Sequence, residues 1–295
     1  MKLIATMPVR NEAWVIGLSA RVALMWCDEL VILNHRSTDN TVPIVADIQR
    51  QCPGRVHLIS TPDEKWLEMR DRELMLDLAR GKGATHIAIV DADEILTGNL
   101  LDRKLFYPEA GTILQLPGYN LRGGLWRYHA NGTWGARWFS TVFKTNERLY
   151  WSQVVSGRGG EDAHHHREPF GMKLEPYRPV RQGDGGVMHL WGANARRLRA
   201  KHAWYKMQER LKWPEKNILE IDSMYSWFQT GCRPGEPFNW QFQDVPKSWW
   251  APYESLMCYY LDLDAYPWQV AECKALYERH GAETFKGLDL FGIVG

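Results

Sequence analysis

Cysteine is scarce in this chain: five of 295 residues, at Cys27, Cys52, Cys232, Cys258 and Cys273. The count is odd and no pair has metal-finger spacing, which argues against a disulfide framework or a structural zinc site. The thiols read as reduced core or surface groups of a cytoplasmic protein. Long hydrophobic runs are missing as well, since none reaches the roughly 20 residues needed to cross a bilayer. The opening MKLIATMPVRNE turns polar at Arg10, too early for a typical secretory signal. Excess charge is also missing. The 36 Lys and Arg against 35 Asp and Glu leave a net +1, so charge gives no argument for a nucleic-acid partner. No internal repeat is visible.

What is present is a folded composition, 45% hydrophobic and 24% charged. The length suits one large α/β domain, or one with an appended helical region. Tryptophan is abundant, 15 residues, many of them in the second half. Partly exposed indoles make flat apolar platforms with one polar handle. These suit a sugar ring, a base or a protein interface equally well.

The first hundred residues alternate in period. KLIATM (2–7), ELVIL (29–33), RVHLI (55–59) and HIAIV (86–90) read as strands. Residues 12–26, 39–51 and 64–80 carry apolar positions at helical spacing between them. Strands alternating with helices predict a mostly parallel mixed sheet flanked by helices, with ligands beyond the carboxyl ends of the strands. After residue 105 the chain reads as short strands and long loops. Helical patterns return at 192–212, opened by Asn194 or Gly192, and at 216–227 and 266–280. The expected division is a catalytic domain over 1–212, with halves 1–104 and 105–212, and a mainly helical extension over 213–295.

Three polar clusters fall at strand ends. The sharpest is Asp91-Ala92-Asp93-Glu94. Two acids two residues apart on an extended strand point the same way, and their repulsion favours a shared cation. The alternative is an acidic turn in which Asp93 or Glu94 caps a helix. The others are Pro8 to Glu12 and Asn34 to Thr41, where Ser37 or Asp39 could cap the helix that follows.

ATMPVRNE, VILNHRSTDNT and HIAIVDADEIL, in this order and spacing, resemble the nucleotide-binding half of the family 2 glycosyltransferases, which have a GT-A fold. The resemblance covers about residues 2–104. It implies a hexosyltransferase-like enzyme in which Pro8, Arg10 and Glu12 wall the nucleoside, with Asn34 and Asp39 beside them. Asp91 would approach the ribose or a phosphate-bound metal. Asp93 would coordinate Mn²⁺ or Mg²⁺, which carboxylate and phosphate oxygens suit equally. The donor implied is a UDP-sugar, with a GDP-sugar as the alternative. The chain departs from the family in having Asn34-His35 for the usual acidic pair and Arg36 for the usual glycine. That weakens the expectation of uracil recognition, because a carboxamide both donates and accepts.

In the second half, GDGGVMHLW (183–191) resembles a closing element whose histidine completes the metal site, which implicates His189 as a third ligand. Lys201, with Arg196, Arg197 and Arg199, would offset diphosphate charge; the alternative is a solvated basic face. GRGGEDAHHHRE (157–168) carries the "E-D" of many inverting members. Asp162 is the expected general base and Glu161 the alternate. His164, His165 and His166 could supply a metal site or a base, though adjacent strand residues alternate faces. A nucleotidyltransferase and a non-catalytic nucleotide-sugar or glycan-binding module are the competing classes. The first usually has a glycine-rich basic loop after its first strand, where this chain offers only Arg10. The expected acceptor is a glycan or small hydroxylated molecule, with a modified nucleic-acid base left open.

Overall fold

The computed structural model describes residues 1–61, 67–135, 137–151, 167–230 and 240–294. The chain divides into two units that do not follow its linear order. The first takes Met1–Tyr119, Arg137–His189 and Pro246–Asp262, and the second takes Asn120–Ala136, Leu190–Val245 and Leu263–Gly295. The boundary expected at residue 212 lies within the second unit.

In chain order the elements begin β1 (Leu3–Val9), α1 (Ile16–Trp26), β2 (Glu29–Asn34), α2 (Thr41–Gln51), β3 (Val56–Ser60), α3 (Glu68–Gly81), β4 (His86–Ile89) and β5 (Glu94–Leu96). They continue with β6 (Thr112–Asn120), β7 (Arg127–His129), β8 (Arg137–Lys144), β9 (Glu175–Tyr177), β10 (Val187–His189), α4 (Ala195–Lys212) and α5 (Ile218–Thr230). β11 (Phe242–Asp244), α6 (Lys247–Trp250), α7 (Glu254–Tyr260) and α8 (Trp268–His280) complete the list.

The first unit is built on a nine-stranded sheet of order β3-β2-β1-β4-β8-β6-β10-β5, with β9 paired to β6. β1, β2, β3 and β4 run parallel, as their βα rhythm dictates. β8 then pairs antiparallel with both β4 and β6, and β10 antiparallel with β5. The class is α/β, a sheet flanked by helices as expected, more mixed than parallel.

β1 is buried along its whole length, so its sequence LIATMPV is apolar on both faces. Leu3, Ala5 and Met7 pack with Ile16 and Ala20 of α1 and Val45 and Ile48 of α2. Ile4 faces the other way, into a core with Met69, Met75 and Leu76 of α3 and Phe143 of β8. The period of two thus divides one strand between two helical layers. In the register, Val9 lies opposite Asn34, Asn34 opposite Ser60, and Thr6 opposite Ile89. The polar clusters after β1, β2 and β4 therefore share one edge of the sheet.

The second unit centres on α4. Its N-cap is Asn194, whose side chain accepts the Arg197 N–H at 2.9 Å. Ala203 and Met207 pack with Cys273 and Leu276 of α8, Phe285 and Leu290. Lys206 is fully buried, and its Nζ donates to Asp222 Oδ1 and the Asp289 carbonyl, both at 2.7 Å. Among the described residues no helix is long and apolar enough to cross a membrane.

Two buried histidines make this unit sensitive to acid. Burial pushes His202 down to about 3 and His129 down to about 4 from the usual 6.5. The unfolded chain takes up these protons as pH falls below 6.5, whereas the folded chain resists until near 4 and 3. Their contribution to stability is therefore present above pH 6.5 and lost on acidification. Thermal unfolding at stepped pH should show the midpoint falling from pH 7 to pH 4.5, and His202→Asn should make that fall shallower.

Candidate active site

The edge where β1 and β2 end is stapled by one residue. Asn11 is buried and sits at φ 55°, a left-handed conformation that asparagine tolerates better than most residues. Its Oδ1 accepts the amides of Thr38 at 2.7 Å and Asp39 at 3.3 Å, and its own N–H donates to Ser37 Oγ at 2.9 Å. The Glu12 amide donates to Thr41 Oγ1 at 2.8 Å and the Ala13 amide to Asp39 Oδ2 at 3.0 Å. Asp39 Oδ1 accepts the Thr41 amide at 2.9 Å at the start of α2. Neither expected residue is the N-cap, which is Asn40 without a side-chain cap: Asp39 bonds the Thr41 amide from one residue further out, and Ser37 serves the β1 loop. The segments Pro8 to Glu12 and Asn34 to Thr41 thus form one rigid wall.

Within it, Glu12 Oε2 accepts the Trp14 indole N–H at 2.6 Å. The Asn34 carboxamide takes the Ser37 N–H on its oxygen at 3.0 Å and turns its nitrogen to Ser60 Oγ at 3.3 Å. His35 points the opposite way, fully buried, with Nδ1 3.4 Å from Asp71 Oδ2 of α3. Asn34 and His35 thus have separate partners, one in the loop and one under the sheet.

The acidic cluster is a turn. The Glu94 amide donates to the Asp91 carbonyl at 3.0 Å, and Glu94 Oε2 accepts the Asp91 N–H at 3.1 Å. The extended geometry expected for Asp91 and Asp93 is therefore absent, and their carboxylates take different partners. Asp91 Oδ1 lies 3.3 Å from the Arg72 guanidinium and its Oδ2 lies 3.2 Å from that of Arg167. Arg72 also holds Glu68 at 2.9 Å. Arg167 grips both oxygens of Glu94, at 2.7 and 3.0 Å. Burial pushes the Glu94 carboxyl above its ordinary range; Arg167 opposes this and the Asp91 charge adds to it.

Asp93 turns instead to His189, with Oδ2 and Nε2 3.4 Å apart. The antiparallel register of β10 on β5 puts His189 opposite Glu94 and so beside the turn. Gly186 makes that register possible, because a Cβ there would lie 2.0 Å from the Pro117 carbonyl oxygen. Thr97 Oγ1 accepts the Gly186 N–H at 2.9 Å and fixes the entry to β10.

The structure thus brings Pro8, Arg10, Glu12, Asn34, Asp39, Asp91, Asp93 and His189 to one unit. Lys201 belongs to α4, an element of the second unit. Glu161, Asp162 and the three histidines 164–166 lie outside the described residues. Among the described residues no group of three or more His, Cys, Asp or Glu side chains is arranged to hold a metal. Sequence reasoning missed Arg72, Asp71 and Arg167. For the first two the available signal was a charged EMRDRE run at the head of a helix that must cover an apolar sheet.

No protein-family model matches the chain, and no curated protein sequence matches it. Among solved structures it is similar to S. aureus TarS 1–349, at 13% identity and TM-score 0.42, covering 78% of this chain and 71% of that one. The same protein in complex with UDP-GlcNAc gives 15% identity and TM-score 0.39, over 78% and 72%. Glucosyl-3-phosphoglycerate synthase from Mycobacterium tuberculosis, in complex with Mn²⁺, UDP and glucosyl-3-phosphoglycerate, gives 16% identity and TM-score 0.28, over 41% and 45%. At these TM-scores the likenesses carry no weight for function.

Because Asn11 supplies both the left-handed turn and the acceptor for two amides, Asn11→Ala should destabilise the protein by about 1–3 kcal/mol. Asn11→Gly removes the acceptor but keeps the backbone freedom, and should cost less. Denaturant unfolding reads both, and hydrogen exchange should show the Thr38 and Asp39 amides losing protection in each variant.

Proposed function

We propose that this chain is a glycosyltransferase, similar to family 2 members, that transfers a sugar from a nucleotide-sugar donor to a hydroxyl acceptor with inversion. The observation that carries the reading is the Asp93–His189 pair at the carboxyl edge of a βα sheet, on the same edge as the stapled wall of Pro8–Glu12 and Asn34–Asp39. In this reading the wall holds the nucleoside, with Glu12, Asn34 and Asp39 as its polar face and Pro8 and Arg10 beside them. The donor is a UDP-sugar, with a GDP-sugar as the alternative.

The residues present fit a divalent cation. A carboxylate oxygen and an imidazole nitrogen 3.4 Å apart are close to adjacent positions of an octahedral ion, whose bonds of about 2.1 Å put neighbouring ligands about 3 Å apart. Asp93 and His189 would hold Mn²⁺ or Mg²⁺. Such an ion supplies neutralisation of the diphosphate charge as the leaving group departs. The His189 ring meets the Phe139 ring edge-on, with centroids 5.9 Å apart. Asp162 is proposed as the base that takes the acceptor proton, with Glu161 as alternate. The acceptor is a glycan or a small hydroxylated molecule.

A panel of nucleotide sugars with Mn²⁺, assayed for released nucleoside diphosphate, tests the donor assignment. Turnover should fall sharply in EDTA and in Asp93→Asn. Release of pyrophosphate instead would identify a nucleotidyltransferase, and binding without turnover a non-catalytic module.

The mechanism is tested at the other carboxylate. Asp162→Asn should lose roughly 10²–10⁴ in kcat with donor KM little changed, because the proton transfer belongs to the transition state. NMR of the product should show the anomeric configuration inverted. A retained configuration, or near-wild-type turnover in this variant, would remove Asp162 from its role.

A further inference from the structure

We propose that the strap of residues 168–176 borders a binding cavity for a small primary ammonium ion, with the Glu168 carboxylate as counter-charge and the Tyr150 and Phe170 rings as walls. The site lies outside the transferase reading and does not depend on it. The cavity measures about 660 Å³, within the range of small-ligand sites. It belongs entirely to the first unit.

The strap is fixed along its length. Tyr150 and Phe170 bond each other's backbone, with N–H to oxygen distances of 3.1 and 2.7 Å, and their ring centroids are 5.9 Å apart. Gly171 sits at φ 99°, and a Cβ there would lie 1.7 Å from the Arg148 carbonyl oxygen, so only glycine passes this point. Met172 Sδ accepts the Asn146 carboxamide at 3.3 Å, and Leu174 is buried in the core beneath α3. The Glu175 amide donates to the Gly111 carbonyl at 2.9 Å. The cavity is thus formed without a ligand.

Two charged residues line it, Glu168 and Lys173. Lys173 is engaged by Glu175 at 2.8 Å, and its side chain is 83% exposed. Glu168 is held differently. Its Oε1 accepts the Ser140 hydroxyl at 2.8 Å and the Gln115 carboxamide at 3.2 Å, neutral donors that orient the carboxylate without cancelling its charge. Arg178 stops at the far end of that carboxamide, donating to Gln115 Oε1 at 2.8 Å, and lies over the Trp138 ring. The Arg167 guanidinium turns instead to Asp91 and Glu94. Among the described residues no cation pairs with Glu168, and its Oε2 takes no hydrogen bond. An ammonium group would donate to that oxygen in a charge-assisted bond, and aromatic faces attract the same charge. Pro169, Met172 and Pro176 offer apolar surface to the ligand's hydrocarbon part. A neutral hydroxyl would gain only an ordinary hydrogen bond, and an anion would be repelled.

The test titrates the full-length protein with hexylammonium and with hexanol, its neutral counterpart, while the Gln115 side-chain amide is followed by ¹H–¹⁵N NMR. Hexylammonium should bind and shift that signal, and hexanol should bind roughly 10-fold more weakly or worse. Glu168→Gln keeps the shape and removes the charge, so it should abolish the preference for the amine. Tyr150→Leu and Phe170→Leu keep apolar volume but lose the ring, and each should weaken hexylammonium binding roughly 3–10-fold. If Glu168→Gln does not fold, the wild-type comparison of amine with alcohol and the two ring variants decide it. Equal binding of amine and alcohol would overturn the proposal, as would an undiminished preference in Glu168→Gln or a wild-type protein that binds no hexylammonium. Nα-acetyl-lysine methylamide carries the same group on a peptide unit. Its binding more tightly than hexylammonium would assign the cavity to a lysine side chain of another protein and overturn the small-molecule assignment.

Discussion

The clamping of Asp91 between Arg72 and Arg167 is the constraint on which the candidate site depends. Three carboxylates, Glu68, Asp91 and Glu94, crowd the carboxyl end of β4, where desolvation and mutual repulsion would each be costly. Two guanidiniums offset that cost by binding two carboxylates each. The bonds join elements far apart in sequence: α3 through Glu68 and Arg72, the β4–β5 turn, and β8 through the Ser140 carbonyl. The cluster is therefore a load shared by three elements. Removing Arg167 would leave the buried Glu94 without its guanidinium, which destabilises more than loss of an exposed pair would.

The rest of the edge is held by short polar side chains. Asn11, Ser37, Asp39 and Thr41 satisfy one another's amides and hydroxyls across two loops. Loops at strand ends are ordinarily the mobile part of an α/β unit. Here the amides of Asn11, Glu12, Ala13, Thr38 and Asp39 each have a side-chain acceptor from the neighbouring loop, so the wall is formed without a ligand. A preformed wall loses less entropy on binding than one that must order around its ligand.

Much of this was legible in the sequence because it is local. The βα rhythm sets the parallel half of the sheet, and the polar clusters follow directly from where the strands end. Asn194 as the cap of α4, Asp39 at the head of α2, and the approach of His189 to the acidic cluster were all readable from short motifs. What was not legible depends on long-range pairing. The partners of Asp91 lie 19 and 76 residues away, and no periodicity reports such a pairing. The division into units was hidden for the same reason. Residues 120–136 leave the run of the first unit and rejoin the chain's later helices, a topology that composition does not encode. Antiparallel insertion of β8 between β4 and β6 likewise follows from the packing of Phe143 against Ile4 and Ile113 beneath α3, a contact between residues over 100 apart for the first pair.

The acidic turn shows how a motif's place in the chain can be read from sequence while its geometry is not. Asp91 and Asp93, spaced by two, would face together on a straight strand. The chain does not stay straight, because Glu94 bonds back to the Asp91 amide while its own amide bonds the Asp91 carbonyl. That closed turn rotates Asp93 away from Asp91, and each acid then meets a different kind of partner. Asp91 meets guanidiniums, which are charged at every accessible pH and cannot exchange for a metal. Asp93 meets an imidazole, whose neutral form is itself a metal ligand. Identical side chains two residues apart are thus assigned unlike chemistry by a single i to i+3 hydrogen bond. The assignment would survive replacement of the alanine between them, but not loss of Glu94, whose carboxylate closes the turn and anchors Arg167 at once.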